Sequence, residues 1–507
     1  MFYQFWYRFK SILKIKVVCK QFYKSGNSLK WNDSIFNFDS YIGNNTFQFL
    51  NIEHQFNSSI NFNFNQFGKL WTYNLNYFDY LNQDSISKKD GLQLINQYLY
   101  FHPKQLDGSE PYPISLRSVN WIKFLSKHKI NDNRIDQFLF NDTCFLINNF
   151  EYHLMGNHIL ENAFCLLFSS YYFENYKFYD KSKSVLFNQL DEQILSDGGH
   201  FELSPMYHKI ILSKILDCIQ LIKLNPEWAK DDLLSFLEKK ASLMISWLQN
   251  ITYINGETPM VNDATYNIAP SSKQLFSYAK KIGLKNKEIP LSDSGYRKIN
   301  LSNYELLVDV GNIGPDYQPG HAHSDTFNFE LHLGGLPVIV DTGISTYEKN
   351  EIRQLQRSTK SHNTVMIDDF DQSEVWGGFR VARRAKIFDL KSGKNQISAT
   401  HNGYKRLGVF HNRCFEFNEN EIIIEDSLTK STKGKAKAIF HFHSNIKKPK
   451  IYSNRIILED QNISLLFSGY LAIDILSYDL CEGYNKTVKA YKTIVSFDKD
   501  LKTQINL

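Results

Sequence analysis

The feature that most constrains this chain is a change of hydrophobic period near Ser292. From about Asn76 to Lys287, apolar residues recur at helical spacing, as Ile211, Ile215, Cys218, Ile219 and Ile222 do in YHKIILSKILDCIQLIKL. GLQLINQYLYFH, VNWIKFLSKHKI, NHILENAFCLLFSSYYF and LLSFLEKKASLMISWLQN repeat that pattern. Amphipathic helices in succession must bury their stripes against one another, in a bundle or a ring of pairs. After Ser292 the side chains alternate instead: in TFNFELHL, Phe327, Phe329, Leu331 and Leu333 interleave with Asn328, Glu330 and His332. That predicts a half-buried strand. Gly334-Gly335 then supplies the positive φ that a two-residue hairpin turn needs before LPVIVD. NEIIIED, KAIFHFHS, NRIILED and ISLLFSG continue the pattern, so an antiparallel β-sandwich follows the helices. The expected division is a basic N-terminal extension (1–45), an all-α domain (46–291) and a β-sandwich (292–507).

At 507 residues the chain is long enough for two or three domains with ordinary cores. Its formal net charge of +5 is too small for the basic stripe that nucleic-acid binding requires. Aromatic residues reach 15%, which suits sugar-stacking clefts and equally suits a biased codon composition. Cys19, Cys144, Cys165, Cys218, Cys414 and Cys481 form no CxxC pair and read as free core thiols. No stretch approaches the roughly 20 apolar residues of a membrane span. The N-terminal MFYQFWYRFKSILKIKVVCKQFYK is basic and aromatic, but lysines interrupt its apolar runs, and no cleavable signal is read there. Arg8, Lys10, Lys14, Lys16 and Lys20 beside Phe5, Trp6, Ile12 and Leu13 suit a membrane-surface helix or a plain packing helix.

Polar residues gather where a core would not want them in EPYPISLRSVNW (Glu110 to Trp121), MGNHILENAF (Met155 to Phe164) and DGGHFELSPMYH (Asp197 to His208). The densest cluster is PGHAHSDTFNFELHLGGLPVIVDTG, followed by RQLQRSTKSHNTV. In each, Gly or Pro lets the backbone turn while His, Tyr, Asn, Asp or Arg is presented. Singly they are ambiguous: Asn157 suits a helix cap and Tyr207 a buried ring.

Together these segments resemble the heparinase II/III family of polysaccharide lyases, from WTYNLNYFDYL near Trp71 to HFHS near His441. The resemblance is most specific in DGGHFELSPMYH, in HAHSD with its hairpin, and in QRSTKSHNTV. It implies an incomplete (α/α) toroid followed by an antiparallel β-sandwich, and cleavage of a uronic-acid glycan by β-elimination. By the same resemblance, Asn157, Tyr207 and His321 are the catalytic residues. The chemistry makes those types intelligible. Removing the C5 proton beside a carboxylate requires that carboxylate to be neutralised, and the Asn157 amide is a suitable donor. His321 or Tyr207 takes the proton, according to the epimer, and Tyr207 returns one to the leaving oxygen. A tyrosine base, with an ordinary pKa of about 10, needs nearby positive charge, for which Arg353, Arg357 and His208 are candidates. The candidate substrate-binding residues are Arg117, Asn120, Trp121, His158, Glu202, His208, Arg353 and Arg357. Helix packing explains the first three equally well.

The resemblance also makes His323, Asp341 and His362 ligands of zinc or another divalent metal in a structural role. His and Asp are ordinary zinc ligands. The Gly334-Gly335 hairpin would set Asp341 opposite Asn328, about 17 Å of extended chain from His323. HAHSD must therefore leave the strand and fold back if the three are to meet; otherwise His323 and His362 only hydrogen-bond across the sandwich. Arg380, Arg383 and Arg384, in WGGFRVARRA, suit a substrate-facing strand or a solvated edge, while His441 and His443 read as structural.

Two other functions compete with a lyase. One is a glycoside hydrolase on the same toroid, with Glu202 and Asp263 as its carboxylates. The other is a catalytically silent glycan-binding or surface-polysaccharide assembly protein. The implied partner is an acidic polysaccharide. Which glycan it is and what oligomer the chain forms do not follow from the sequence. Location is open too: the resemblance points to the cell envelope, and the lack of a readable signal points to the cytoplasm.

Overall fold

The computed structural model of the protein describes residues 29–32, 35, 38–105, 107–228, 232–285, 287–317 and 319–507. The basic N-terminal segment from Arg8 to Lys20 lies outside them. The chain forms two compact units. The first takes the described residues up to Ile194 together with Ile210–Ile245 and Lys273–Lys287, and the second takes Leu195–Lys209, Ser246–Ser272 and Glu288–Leu507.

The first unit begins with a small antiparallel sheet, Tyr41–Gly43, Thr46–Phe49 and Ile52–Gln55, and continues in helices. Lys88–Phe101 starts where the Ser87 side chain accepts from Asp90 N, and Asn133–Asn148 where Asp132 accepts from Arg134 and Ile135 N. Pro111 and Pro113 occupy the first turn of Pro111–Lys127, where a missing N–H costs nothing. Gly156–Phe173 is buried almost all round, as a helix apolar on every face must be, and packs against Tyr176–Gln193 and Pro111–Lys127. Cys165, Cys218, Cys414 and Cys481 are free, as read. Cys144 is disulfide-bonded, which corrects its reading as a free thiol, because spacing does not reveal which distant cysteines meet.

In the second unit a four-stranded antiparallel sheet runs Tyr296–Asn300, Tyr304–Asp309, Phe329–Leu333, Leu336–Ile339. Its Leu306, Phe329 and Leu331 share a core with Phe415, Ile424 and Phe440 of a larger antiparallel sheet. The expected hairpin forms: Leu333 pairs with Leu336 across Gly334 and Gly335, at φ 55° and 81°. Two details differ from the sequence reading. The strand starts at Phe329, because Phe327 takes a left-handed φ of 69° and Asn328 N turns back to Asp325 O at 2.8 Å. Its polar face is also buried rather than solvated, since Glu330 accepts from Tyr253 Oη (2.8 Å), Met260 N (3.1 Å) and Asp341 N (3.2 Å). No helix among the described residues is long and apolar enough to cross a membrane.

Candidate active site

The second unit gathers Tyr207, His321, Asp263 and Arg353 around one buried carboxylate. DGGHFELSP turns the chain into the helix Pro205–Leu224. Asp197 fixes that turn by accepting from Ser292 N (2.9 Å), Ser294 N (3.0 Å) and Ser294 Oγ (2.6 Å). Gly199 passes so close to the indole of Trp247 that a Cβ would stand 2.8 Å from Nε1. Ser204 Oγ donates to Asp263 O (2.6 Å) and accepts from Tyr207 N (3.3 Å), joining the first turn of the helix to the Asp263 loop.

Asp263 is fully buried, and four side-chain contacts converge on it. His321 Nδ1 lies 2.8 Å from Oδ2, His323 Nε2 lies 2.9 Å from Oδ1, and the Arg353 guanidinium grips both oxygens, with Nη2 at 2.7 Å from Oδ2. Burial alone would raise the Asp263 pKa, but Arg353 and the two imidazoles hold it well below the usual carboxylate range. An ionised Asp263 can only accept, so His321 carries its proton on Nδ1 and presents the Nε2 lone pair, while His323 donates from Nε2. The His321 ring stacks on Tyr207 with centroids 3.9 Å apart, and Tyr207 Oη lies 3.1 Å from Tyr347 Oη. Glu202 Oε2 is 4.0 Å from His321 Nε2.

Burial pushes the Tyr207 hydroxyl well above its ordinary pKa, and the neighbouring Tyr484, Asp263 and Glu202 push the same way. The expected lowering by Arg353, Arg357 and His208 therefore does not occur. Arg353 is neutralised by Asp263. Arg357 donates to Ala322 O at 2.9 Å, and His208 packs on Trp247 at 4.3 Å with its Nδ1 accepting from His200 N.

The HAHSD segment does fold back. Its backbone is held by Arg357 and by Ser324 N donating to Arg357 O (2.9 Å). His362 Nδ1 lies 2.7 Å from Asp341 Oδ2, and the His323 and His362 rings are 5.3 Å apart. His323 Nδ1, His362 Nε2 and Asp325 Oδ2 are buried without a hydrogen-bond partner. Burial and the nearby carboxylate of Asp341 raise Asp325 to about 6, though His362 opposes this, and burial with Asp325 raises Asp309 as well. Orphaned imidazole nitrogens beside surplus buried carboxylates fit a divalent cation in donor chemistry and in charge. Among the described residues, however, no group of three or more His, Cys, Asp or Glu side chains is arranged to hold a metal ion.

Profiles of two families match the chain, "Heparinase II/III N-terminus" over residues 47–289 and "Heparinase II/III-like, C-terminal" over residues 285–507. The chain belongs to the heparinase II/III family. Among curated proteins it is similar to a heparin-sulfate lyase of Bacteroides stercoris, 26% identical over 337 residues, 60% of this chain and 48% of that protein. Another, from Pedobacter heparinus, is 26% identical over 315 residues, 55% of this chain and 45% of that protein. The chain thus spans about half the length of the curated relatives it matches. Among solved structures, a heparinase III covers 89% of this chain and 80% of its own, with TM-score 0.66 and 14% identity. A mutant heparan sulfate lyase of Pedobacter heparinus covers 91% and 81%, with TM-score 0.60 and 17% identity. The fold is the expected one, an incomplete (α/α) toroid followed by an antiparallel β-sandwich.

In this heparinase II/III member the remaining candidates take varied positions. Arg117 is buried in an ion pair with Asp142 at 2.7 Å and donates to Gly108 O. The Asn120 amide donates to Tyr77 O (2.9 Å), and Trp121 is wholly buried among Phe78, Tyr98 and Phe138. Those three build the helical core, the packing alternative left open by the sequence. Asn157 and His158 begin the helix Gly156–Phe173 of the first unit, His158 lying 3.3 Å from Glu151 and 4.5 Å from the Tyr112 ring. Sequence reasoning missed Tyr347 and the anchoring part of Asp263. Tyr347 sits in GISTYEKN, a loop without patterning, and VNDATYN offered only a polar cluster after a helix.

Proposed function

We propose that this chain is a polysaccharide lyase that cleaves a uronic-acid-containing glycan by β-elimination. The observation that carries the reading is an imidazole oriented by a buried carboxylate and stacked on a phenol that burial keeps protonated. His321 Nε2 accepts the C5 proton, and Asp263 stabilises the imidazolium that results. The C–H electron pair becomes the C4–C5 double bond as the bond to the O4 leaving group breaks. Tyr207 supplies the proton that this oxygen needs. The family resemblance gives Asn157 the substrate carboxylate, for which a neutral amide donor is the right chemistry. His323, Asp341 and His362 would hold zinc or another divalent metal, which cross-links the HAHSD segment to the sandwich and takes no part in the proton transfers.

Asp263 is unsuited to act as a hydrolase carboxylate, since Arg353 and both histidines occupy it and no face of it is open. The names of the relatives make heparan sulfate the first polymer to test, within a panel of uronic-acid polysaccharides. Product should absorb in the ultraviolet through its new unsaturated uronate. Products that instead carry a new water oxygen and no such absorbance would remove the lyase reading.

A further inference from the structure

The chain around WGGFRVARRA forms a two-stranded hairpin. Glu374–Trp376 pairs with Arg380–Ala382 in the register Trp376↔Arg380, Val375↔Val381 and Glu374↔Ala382. Gly377 and Gly378 make the turn at φ 58° and 81°. Residues directly opposite in an antiparallel pair share a face. Val375 is therefore buried beneath the hairpin, while Trp376 and Arg380 lie side by side in solvent.

The hairpin is fixed to the candidate active site. Arg353, which grips Asp263, donates from Nε to Gly378 O (3.1 Å), and Gln354 Nε2 donates to Val375 O (2.7 Å). The Phe379 ring stands 6.3 Å edge-on from His321 and 5.3 Å from Tyr347, yet remains 37% exposed, and Trp376 is 43% exposed.

Its charges are unequally used. Arg383 and Arg406 share the single carboxylate of Glu374, at 3.0 and 3.1 Å, and Arg384 donates to the carbonyls of Pro315 and Asp316. Arg380 has no ion-pair partner among the described residues, and its stem passes 4.0 Å from where a Cβ on Gly377 would lie. Phe379 packs partly on Tyr347 and Arg353, and with Trp376 it leaves aromatic surface beside a guanidinium that has no ion-pair partner among the described residues, on a firmly anchored turn.

We propose that this hairpin is a sugar subsite continuous with the reaction centre. Phe379 and Trp376 offer stacking faces to a sugar ring, and Arg380 pairs with an oxyanion of the glycan, either uronate carboxylate or sulfate. The proposal rests on an acidic glycan being the substrate of the His321–Tyr207 site.

The test is calorimetric binding of the full chain to heparan sulfate and to the same polymer stripped of sulfate, with Trp376→Ala, Arg380→Ala and Arg380→Lys. Ultraviolet product formation and melting temperature are measured in parallel. Trp376→Ala and Arg380→Ala should each weaken binding about tenfold, the scale of one charge-assisted hydrogen bond or one stacked ring. Arg380→Lys should recover part of that loss, and melting temperature should stay near wild type. An Arg380→Ala loss that persists on the stripped polymer identifies carboxylate as its partner, and one that disappears there identifies sulfate. Undiminished affinity in folded Trp376→Ala and Arg380→Ala on both polymers would overturn the subsite, while product from the wild type would leave the lyase reading standing. Conversely, weakened binding in the variants with no unsaturated product from the wild type on any polymer would keep the subsite and remove the lyase reading.

Discussion

A phenol stacked 3.9 Å from an imidazole can serve as packing or as chemistry, and the electrostatics around Tyr207 separate the two. Burial keeps its hydroxyl protonated in the resting site, so Tyr207 enters the reaction holding a proton that a developing alkoxide can take. Tyr207→Phe retains the ring and the stack while removing that proton. Turnover should fall about a hundredfold or more, the scale of an acid-base group, with little change in melting temperature. Near-normal turnover in a folded variant would return Tyr207 to the core. Tyr207 and His321 could be singled out in the sequence only through the family resemblance of DGGHFELSPMYH and HAHSD, since residue type alone left Tyr207 equally suited to the core. Asp263 as their organiser was not legible, since it lies 58 residues from His321 and only the fold brings the carboxylate to the ring. A longer separation, 90 residues, hid the pairing of Arg353 with Asp263, which cancels its charge before it can act on Tyr207.

At the level of elements, strands away from the candidate site still hold the chain that leads out of it. Across His411–Phe417 and Glu421–Leu428, Arg413 holds Asp426 with Nε at 2.7 Å and Nη2 at 3.0 Å, and its Nη1 donates to Phe327 O and Asn363 O. His401, His411 and Asp426 extend the network as a hydrogen-bonded string. Burial would raise the Asp426 pKa, but Arg413 and His411 depress it to about 2. Its folded value lies below the unfolded value of about 3.9, so its stabilisation, roughly 2 kcal/mol, is complete above that pH and is lost as pH falls toward 2. Asp426→Asn leaves Arg413 buried without its counter-charge, and should lose about 3–5 kcal/mol at neutral pH. Its deficit relative to wild type should narrow between about pH 4 and 2, measured by denaturant unfolding across that range; a constant deficit would show that Asp426 is not ionised in the folded protein. Alternation made these strands readable, whereas the early end of Phe329–Leu333 was not. Phe327 continues the apolar period perfectly, yet its backbone is left-handed in a turn where Phe327 N donates to Asp309 O and Asn328 N to Asp325 O.

For the whole molecule, hydrophobic period revealed two kinds of core without revealing which stretch joins which. Leu195–Lys209 and Ser246–Ser272 lie among helical patterns in sequence and belong to the unit that holds the sandwich, because Asp197, Ser204 and Asn262 bond to loops and strands there. The proposed metal would act at the same scale. Its candidate ligands come from three separated segments: His323 and His362 each keep one buried ring nitrogen without a partner, whereas both oxygens of Asp341 already accept hydrogen bonds. A cation bound only by the folded state adds stability in proportion to the logarithm of its excess over Kd, about 4 kcal/mol at a thousandfold excess. Protein purified without chelator should therefore contain one equivalent of zinc or another divalent ion by elemental analysis, and chelation should lower its melting temperature. His323→Ala, Asp341→Ala and His362→Ala should each lose the metal, melt near the chelated wild type, and respond no further to chelator. His321→Ala should keep the metal and the melting temperature while losing turnover, since it removes a proton acceptor and leaves the ligands in place. A metal-free wild type whose stability ignores chelator would sink the assignment. The second ring nitrogens of His323 and His362 would then be ordinary unsatisfied groups of the sandwich, and replacing either ring would cost only the bond its other nitrogen makes to Asp263 or Asp341, by an amount that chelator does not change.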